Sequence, residues 1–298
     1  MQDSGSFSLY GLMLGALFWG GLAAAGRAQE GPYFVTYDGH LEEPGNLEVE
    51  FEPLAGKPRS GDQFLSYLTE FEYGTTAWWT TELYLDSQTT AGQSTIFTGF
   101  RVENRFQVLA GQHRVNPVLY VEYEDTSGAD KSLKEVVGFD SQDDGAVPND
   151  IARRDIQHEI ETKLILSSDF KGWNVSENFI AEKNLAHEPW EFGYAWGVNR
   201  PIRLPASPFE CNLCGENWRA GVELYGGLGT VDRFTLHETS QYIAPIVSWE
   251  LPNGTRFRIS PTFGLTDNAY RFLLRVGVSY EFPSLGRRVK QFFRGGDR

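Results

Sequence analysis

The chain has 298 residues, with 14 % aromatic side chains, 32 glycines and only two cysteines and two methionines. Its formal charge of −14 excludes a nucleic-acid binder, because such a protein needs basic surface to displace counterions. Abundant Tyr, Phe, Trp, Thr and Gly favours strands and tight turns and argues against a helical enzyme.

The first element in chain order is the apolar run Leu9–Ala25, which ends in small residues. Gly26-Arg27-Ala28 places small side chains where a signal peptidase reads, so a signal peptide over residues 1–28 and export are expected. The n-region carries Asp3 and no Lys or Arg, which leaves an uncleaved anchor as the alternative. Residues 29–44 are then expected to form a short periplasmic lead.

From Gly45 onward, apolar and polar residues alternate in segments of about nine to fifteen residues, the length a tilted membrane strand needs. Leu47, Val49 and Phe51 begin the series. Tyr67, Thr69, Phe71 and Tyr73 oppose Ser66, Glu70 and Glu72; Trp79, Thr81, Leu83 and Leu85 oppose Thr80, Glu82, Tyr84 and Asp86. Phe100, Val102 and Phe106 oppose Arg101, Glu103 and Arg105, and Leu119, Val121 and Tyr123 oppose Glu122 and Glu124. The second half repeats this, with Ile160 and Leu164 against Glu161 and Lys163, then Val175 and Phe179 against Asn178 and Glu182. Phe192, Tyr194 and Trp196 alternate with Glu191, Gly193, Ala195 and Gly197, and Val222 and Leu224 flank Glu223. Val247 and Trp249 precede Phe257 and Ile259, which lie opposite Arg256 and Arg258. The last segment sets Phe272, Leu274, Val276, Val278 and Tyr280 against Arg271, Arg275 and Glu281. The fold class expected is all-β: a closed antiparallel transmembrane β-barrel of about twelve strands over residues 45–282, since without apolar helices only a closed barrel satisfies its backbone in lipid.

A soluble exported β-sandwich that binds a ligand also alternates, with its apolar face inward. Two patterns favour the barrel. Aromatics (Trp78, Trp79, Tyr84, Trp173, Trp190, Trp218, Trp249) gather near segment ends, as interfacial girdles require. Connections alternate between short ones, as at Gly74-Thr75-Thr76, Gly111-Gln112-His113 and Pro252-Asn253-Gly254, and longer ones at 53–63, 126–151 and 228–239, as periplasmic turns and outer loops do. Location in a bacterial outer membrane follows, with its lipids as one partner. The final Tyr280-Glu281-Phe282 resembles the aromatic signal read by the barrel-assembly machinery, a second partner. Residues 283–298, with Arg287, Arg288, Lys290, Arg294 and Arg298, form a basic tail suited to anionic headgroups.

Glu72-Tyr73-Gly74-Thr75-Thr76 beside Trp78-Trp79, and Phe263-Gly264-Leu265-Thr266-Asp267, resemble the Tyr-Gly-(Leu/Thr)-Thr-Asp turns of the outer-membrane family named after the MetA pathway of phenol degradation. The resemblance covers the hairpins from about Phe64 to Phe282 and implies a channel-like or transporter-like barrel passing a small solute. It assigns no functional residue.

The inward charges carry the most information about function. Glu48, Glu50, Glu70, Glu72 and Glu82 lie on the first three segments, Arg101 and Arg105 on the fourth, and Arg256, Arg258, Arg271 and Arg275 on the last two. Closure is expected to bring the last Arg row against the first Glu row. The result is either a charged constriction that selects solutes or a salt-bridge lattice that leaves little pore. Cys211 and Cys214, in a Pro-rich connection, lack a second metal-binding pair and are expected to form a local disulfide in an oxidising compartment. Asp140–Gly145 departs from the EF-hand pattern at Gln142 and Ile151 and reads as a solvated acidic loop. No metal or other cofactor is expected. An enzyme of the outer-membrane phospholipase type needs His and Ser two residues apart on the outer face; His158 has Ile160 in that place, so no catalytic residue is assigned.

Overall fold

The computed structural model describes residues 31–186, 188–204, 207 and 211–287. The signal peptide and the tail beyond Arg287 therefore lie outside the described residues. Every strand pairs antiparallel with its chain neighbour. The run is β1 (Leu47–Lys57), β2 (Phe64–Thr76), β3 (Trp79–Thr90), β4 (Thr95–Gln107), β5 (Asn116–Ser127) and β6 (Ile156–Phe170). It continues with β7 (Trp173–Asn184), β8 (Glu191–Pro201), β9 (Trp218–Thr230), β10 (Arg233–Phe234), β11 (Gln241–Glu250), β12 (Thr255–Gly264) and β13 (Phe272–Phe282). β13 pairs with β1, and β9 pairs with both β8 and β11, so the sheet closes. β10 is a two-residue hairpin extension of β9, and the barrel itself has twelve strands.

The outward face is apolar: Phe51, Leu83, Leu119, Phe179, Ile259 and Val278 are all exposed. Each such side chain left in water forgoes roughly 1.5–3 kcal/mol relative to burial, and lipid contact removes that cost. This is the exterior that a transmembrane barrel presents to lipid. One end carries tight connections. Lys171 and Gly172, with φ of 50° and 81°, make a two-residue turn whose positive φ values match the strand twist. Aromatics ring this turn end: Trp78, Trp79 and Phe106 cluster there, and Trp218, Trp249 and Phe257 stack. The connection 202–217 breaks the short–long alternation. It lies at the turn end, closed by the Cys211–Cys214 disulfide and tied to Trp249, whose Nε1 donates to Asn212 O at 2.7 Å. Tyr84 is not part of a girdle; it is inward and 1 % exposed.

Two segments expected outside the barrel lie inside it. Residues 31–44, the expected periplasmic lead, fill the turn-end half of the lumen. Part of the connection 128–155, expected as an outer loop, turns into the loop-end half. The reason is room and donors. The inward face of β8 is nearly bare, so a Cβ at Gly197 would meet the Tyr33 ring at 2.5 Å, and one at Gly193 would meet Val136 O at 2.5 Å. The walls supply acceptors that the entering backbone needs, because unpaired peptide groups inside a barrel are costly.

Candidate functional site

The N-terminal segment is held by side chains of strands far away in sequence. Glu223 of β9 accepts three consecutive backbone N–H groups, from Phe34 at 3.2 Å, Val35 at 2.9 Å and Thr36 at 2.8 Å. Asn178 of β7 mimics a peptide, accepting from Tyr37 N at 2.6 Å and donating to Tyr37 O at 2.8 Å. Tyr33 Oη donates to Asn174 Oδ1 at 2.9 Å, and Arg258 donates to Tyr33 O.

The inward loop is pinned from the other side. Arg275 donates to the carbonyls of Ser132 and Leu133. Lys134 reaches Glu103 at 2.9 Å and Glu122 at 2.8 Å, and its ammonium lies 3.6 Å from the centroid of the Tyr84 ring. Glu135 pairs with Lys163 at 2.7 Å. The two inserts meet at Glu103, whose Oε2 accepts from Tyr37 of the segment at 3.1 Å, Lys134 of the loop at 2.9 Å and Tyr84 of the wall at 2.7 Å.

Strand register organises the acidic residues. Glu281 is the cross-strand partner of Glu48, and Glu48 of Glu72. Glu72 pairs with Glu82, Glu82 with Glu103 and Glu103 with Glu122. Glu122 pairs with Glu161, Glu161 with Glu182 and Glu182 with Glu191. One glutamate from each of β13 and β1 to β8 thus forms a single rung. Because barrel strands tilt, this rung climbs from the turn end at Glu48 to the loop end at Glu191. Directly opposed like charges destabilise a sheet, so such a row persists only if something neutralises it.

Over its first half the neutralising groups are arginines. Arg105 contacts Glu72 at 2.6 Å, Glu103 at 3.1 Å and also Glu82. Arg256 reaches Glu48 at 3.3 Å. Arg258 reaches Glu50 at 2.6 Å and also Glu52. Arg256 and Arg258 sit on β12 and extend across β13, which presents only Gly277 and Ser279 inward at that height. Arg256 and Arg258 thus reach the β1 glutamates across one intervening strand. Glu70 lies among these groups beside the Tyr33–Asp38 stretch.

Two expectations are corrected. Arg275 makes no ion pair with the β1 glutamates among the described residues; it stands opposite Leu54 of β1 and donates to the loop carbonyls of Ser132 and Leu133. Arg271 is exposed and precedes β13, in a bend past the last inward rung, so strand parity does not reach it. Arg101 bridges Asp86 at 3.1 Å, Glu124 at 2.6 Å and Asp130 of the loop at 2.9 Å. Outside the barrel, His158 lies 3.2 Å from Tyr123 Oη and 3.8 Å from Asp125.

Sequence reasoning missed Lys131, Lys134 and Glu135 because they sit in a connection. It also missed Glu223 as an anchor and the rung as a unit. The bare inward face Gly193-x-Ala195-x-Gly197 was the available signal that something fills the lumen.

Above the inserts, at the loop end, a cavity of about 340 Å³ remains, lined among others by Glu124, Asp140, Glu159, Glu182 and Glu191. Between the inserts only about 40 Å³ is left. Asp140 and Glu191 both open on the larger chamber.

No family model matches the chain, and no curated protein matches it in sequence. Among solved structures it is similar to an outer-membrane channel of Pseudomonas putida F1, at 9 % identity and a TM-score of 0.50, with 80 % of this chain and 96 % of that one covered. It is also similar to the NanC porin, at 12 % identity and a TM-score of 0.47, with 78 % and 98 % covered. At these identities the likeness concerns the fold alone.

Proposed function

We propose that the chain is a bacterial outer-membrane channel for small cationic solutes, held nearly shut by its own two inserts. The observation that carries this reading is the glutamate rung, which leads from one end of the lumen to the other beneath the inserts. Where its carboxylates outnumber the cations that face them, toward the loop end, the rung lowers the cost of moving a cation through a narrow, weakly hydrated passage and repels anions. The acidic chamber at the loop end gathers cations before entry. The likeness in fold to a channel, and the hairpin turns resembling the phenol-degradation barrels, agree with this reading. The apolar exterior then contacts outer-membrane lipids, and β13 is the strand the assembly machinery engages.

Planar-bilayer recording of the full chain tests it. Wild type should show a small, cation-preferring conductance. Glu223→Ala, which removes the acceptor of three backbone donors, should raise it several-fold by freeing the segment. Silence in both proteins, each correctly assembled, would overturn the channel and leave a structural surface barrel as the surviving role. Anion preference would overturn the path.

A further inference from the structure

The rung is unevenly neutralised. Around its loop-end portion the cations are Arg101, Lys134 and Lys163. The carboxylates they face are Glu122, Glu124, Glu135, Glu159, Glu161 and Glu182. Lys134 is taken by Glu103 and Glu122, and Arg101 by Asp86, Glu124 and Asp130. Lys163 is shared between Glu135 at 2.7 Å and Glu161 Oε1 at 2.9 Å.

What remains is a group of three from adjacent strands: Glu124 on β5, Glu161 on β6 and Glu182 on β7. Each contributes a carboxylate oxygen to a cluster whose atoms all lie within 4.8 Å of one another, and all three residues are buried. Glu161 is 0 % exposed; its Oε1 lies 2.9 Å from Lys163 Nζ, and among the described residues its Oε2 has no hydrogen-bond partner. Glu124 Oε1 is likewise without one. Glu182, 8 % exposed, makes no hydrogen bond or ion pair through its carboxylate with the described residues. These three buried carboxylates share Arg101 with Asp86 and Asp130 and Lys163 with Glu135, so their counter-charge falls short.

We propose that Glu124, Glu161 and Glu182 bind one divalent cation of the calcium class. Oxygens that share a calcium ion at about 2.3–2.6 Å can adopt this spacing, whereas magnesium at about 2.0–2.1 Å requires a tighter shell and gives up its waters reluctantly. Glu124 and Glu182 line the loop-end chamber, so the ion has an entry route and room to keep waters. The site shares Glu161 and Glu182 with the proposed path, but binding does not require conduction: a barrel that passes no current still binds the ion.

The test uses the full-length barrel in detergent, stripped with chelator and titrated with calcium chloride or magnesium chloride. Calorimetry should show one saturable calcium per chain, with magnesium at least tenfold weaker. Calcium should also raise the temperature at which the barrel loses its fast-migrating form on gels. Glu182→Gln removes an unpartnered charge, so the chelated variant should be at least as heat-resistant as chelated wild type. Its calcium affinity should fall tenfold or more, while Glu188→Gln at the chamber rim should bind as wild type. No saturable calcium binding by wild type, or undiminished binding by Glu182→Gln, would overturn the site. Should Glu182→Gln fail to assemble, strontium anomalous scattering from soaked wild-type crystals decides. A peak among the three carboxylates upholds the site, and its absence overturns it.

Discussion

The two ends of the glutamate rung obey the same sheet register and meet different company. At the turn end, Glu48, Glu72 and Glu82 share guanidinium groups of Arg256 and Arg105. A segment of backbone enters beside them and brings its own donors. At the loop end, Glu161 and Glu182 sit in a barrel wall just as buried, but Glu161 shares the Lys163 ammonium with Glu135, a carboxylate the loop itself brings, and Glu182 has no ion pair with the described residues. The lesson is that burial alone does not say whether a lumen charge is structural. Where donors saturate it, the charge is part of the scaffold; where they fall short, it can serve a ligand.

The largest test of that contrast is Arg105→Ala. It strips the counter-charge from three buried carboxylates, and breaking a buried pair costs about 3–5 kcal/mol. The variant should assemble poorly and unfold well below wild type in urea. Glu182→Gln at the opposite end should not; equal losses from the two changes would erase the difference between the ends. Next in size is Glu223→Ala, which leaves three buried N–H groups without an acceptor. A loss of about 2–3 kcal/mol, with early protease cleavage within residues 31–44, is expected because hydrogen bonds to charged groups contribute about 1.5–3 kcal/mol each and lumen water recovers part.

A third test uses pH. Glu42, in the segment at the turn end, is raised to about 8 by burial and by Glu48 and Glu281. For a carboxyl whose folded value lies above its unfolded value, the stabilisation is complete below the unfolded value, near 4, and is lost as pH rises through the folded one. Heat resistance should therefore fall from about pH 4 to about pH 8. Glu42→Gln should make that fall shallower. An equal fall in wild type and Glu42→Gln would contradict this. The smallest effect is at the disulfide: unreduced protein should resist alkylation at Cys211 and Cys214, and reduction should leave conductance unchanged, because the knuckle lies outside the lumen.

Strand positions and faces were legible in the sequence because alternation with period two is a local signal. Leu274 out and Arg275 in follow from neighbours alone. So were the wall charges Glu50, Arg105 and Arg258. The rung was not legible, because it depends on register, and register depends on hairpin geometry at every connection. A slip of two residues that set Tyr120 of β5 opposite Glu103 would keep every face and break the row. The inserts were hidden for another reason. Residues 31–44 and 128–147 carry no periodicity, since their partners are side chains of the wall and not a neighbouring strand. Arg271 shows the limit of parity itself, which ends where the strand does.

Glu103 gives the two inserts a common ledger. One of its oxygens accepts from Tyr37 of the segment and from Lys134 of the loop, so neither can leave without altering what holds the other. Thermodynamic reciprocity then applies: if displacing the loop changes the grip on the segment by some factor, displacing the segment changes the grip on the loop by that same factor. A solute pressing from outside and a pull on the N-terminus from the periplasm would thus act on one equilibrium. A double-mutant cycle between Tyr37→Phe and Lys134→Met reads its coupling energy directly.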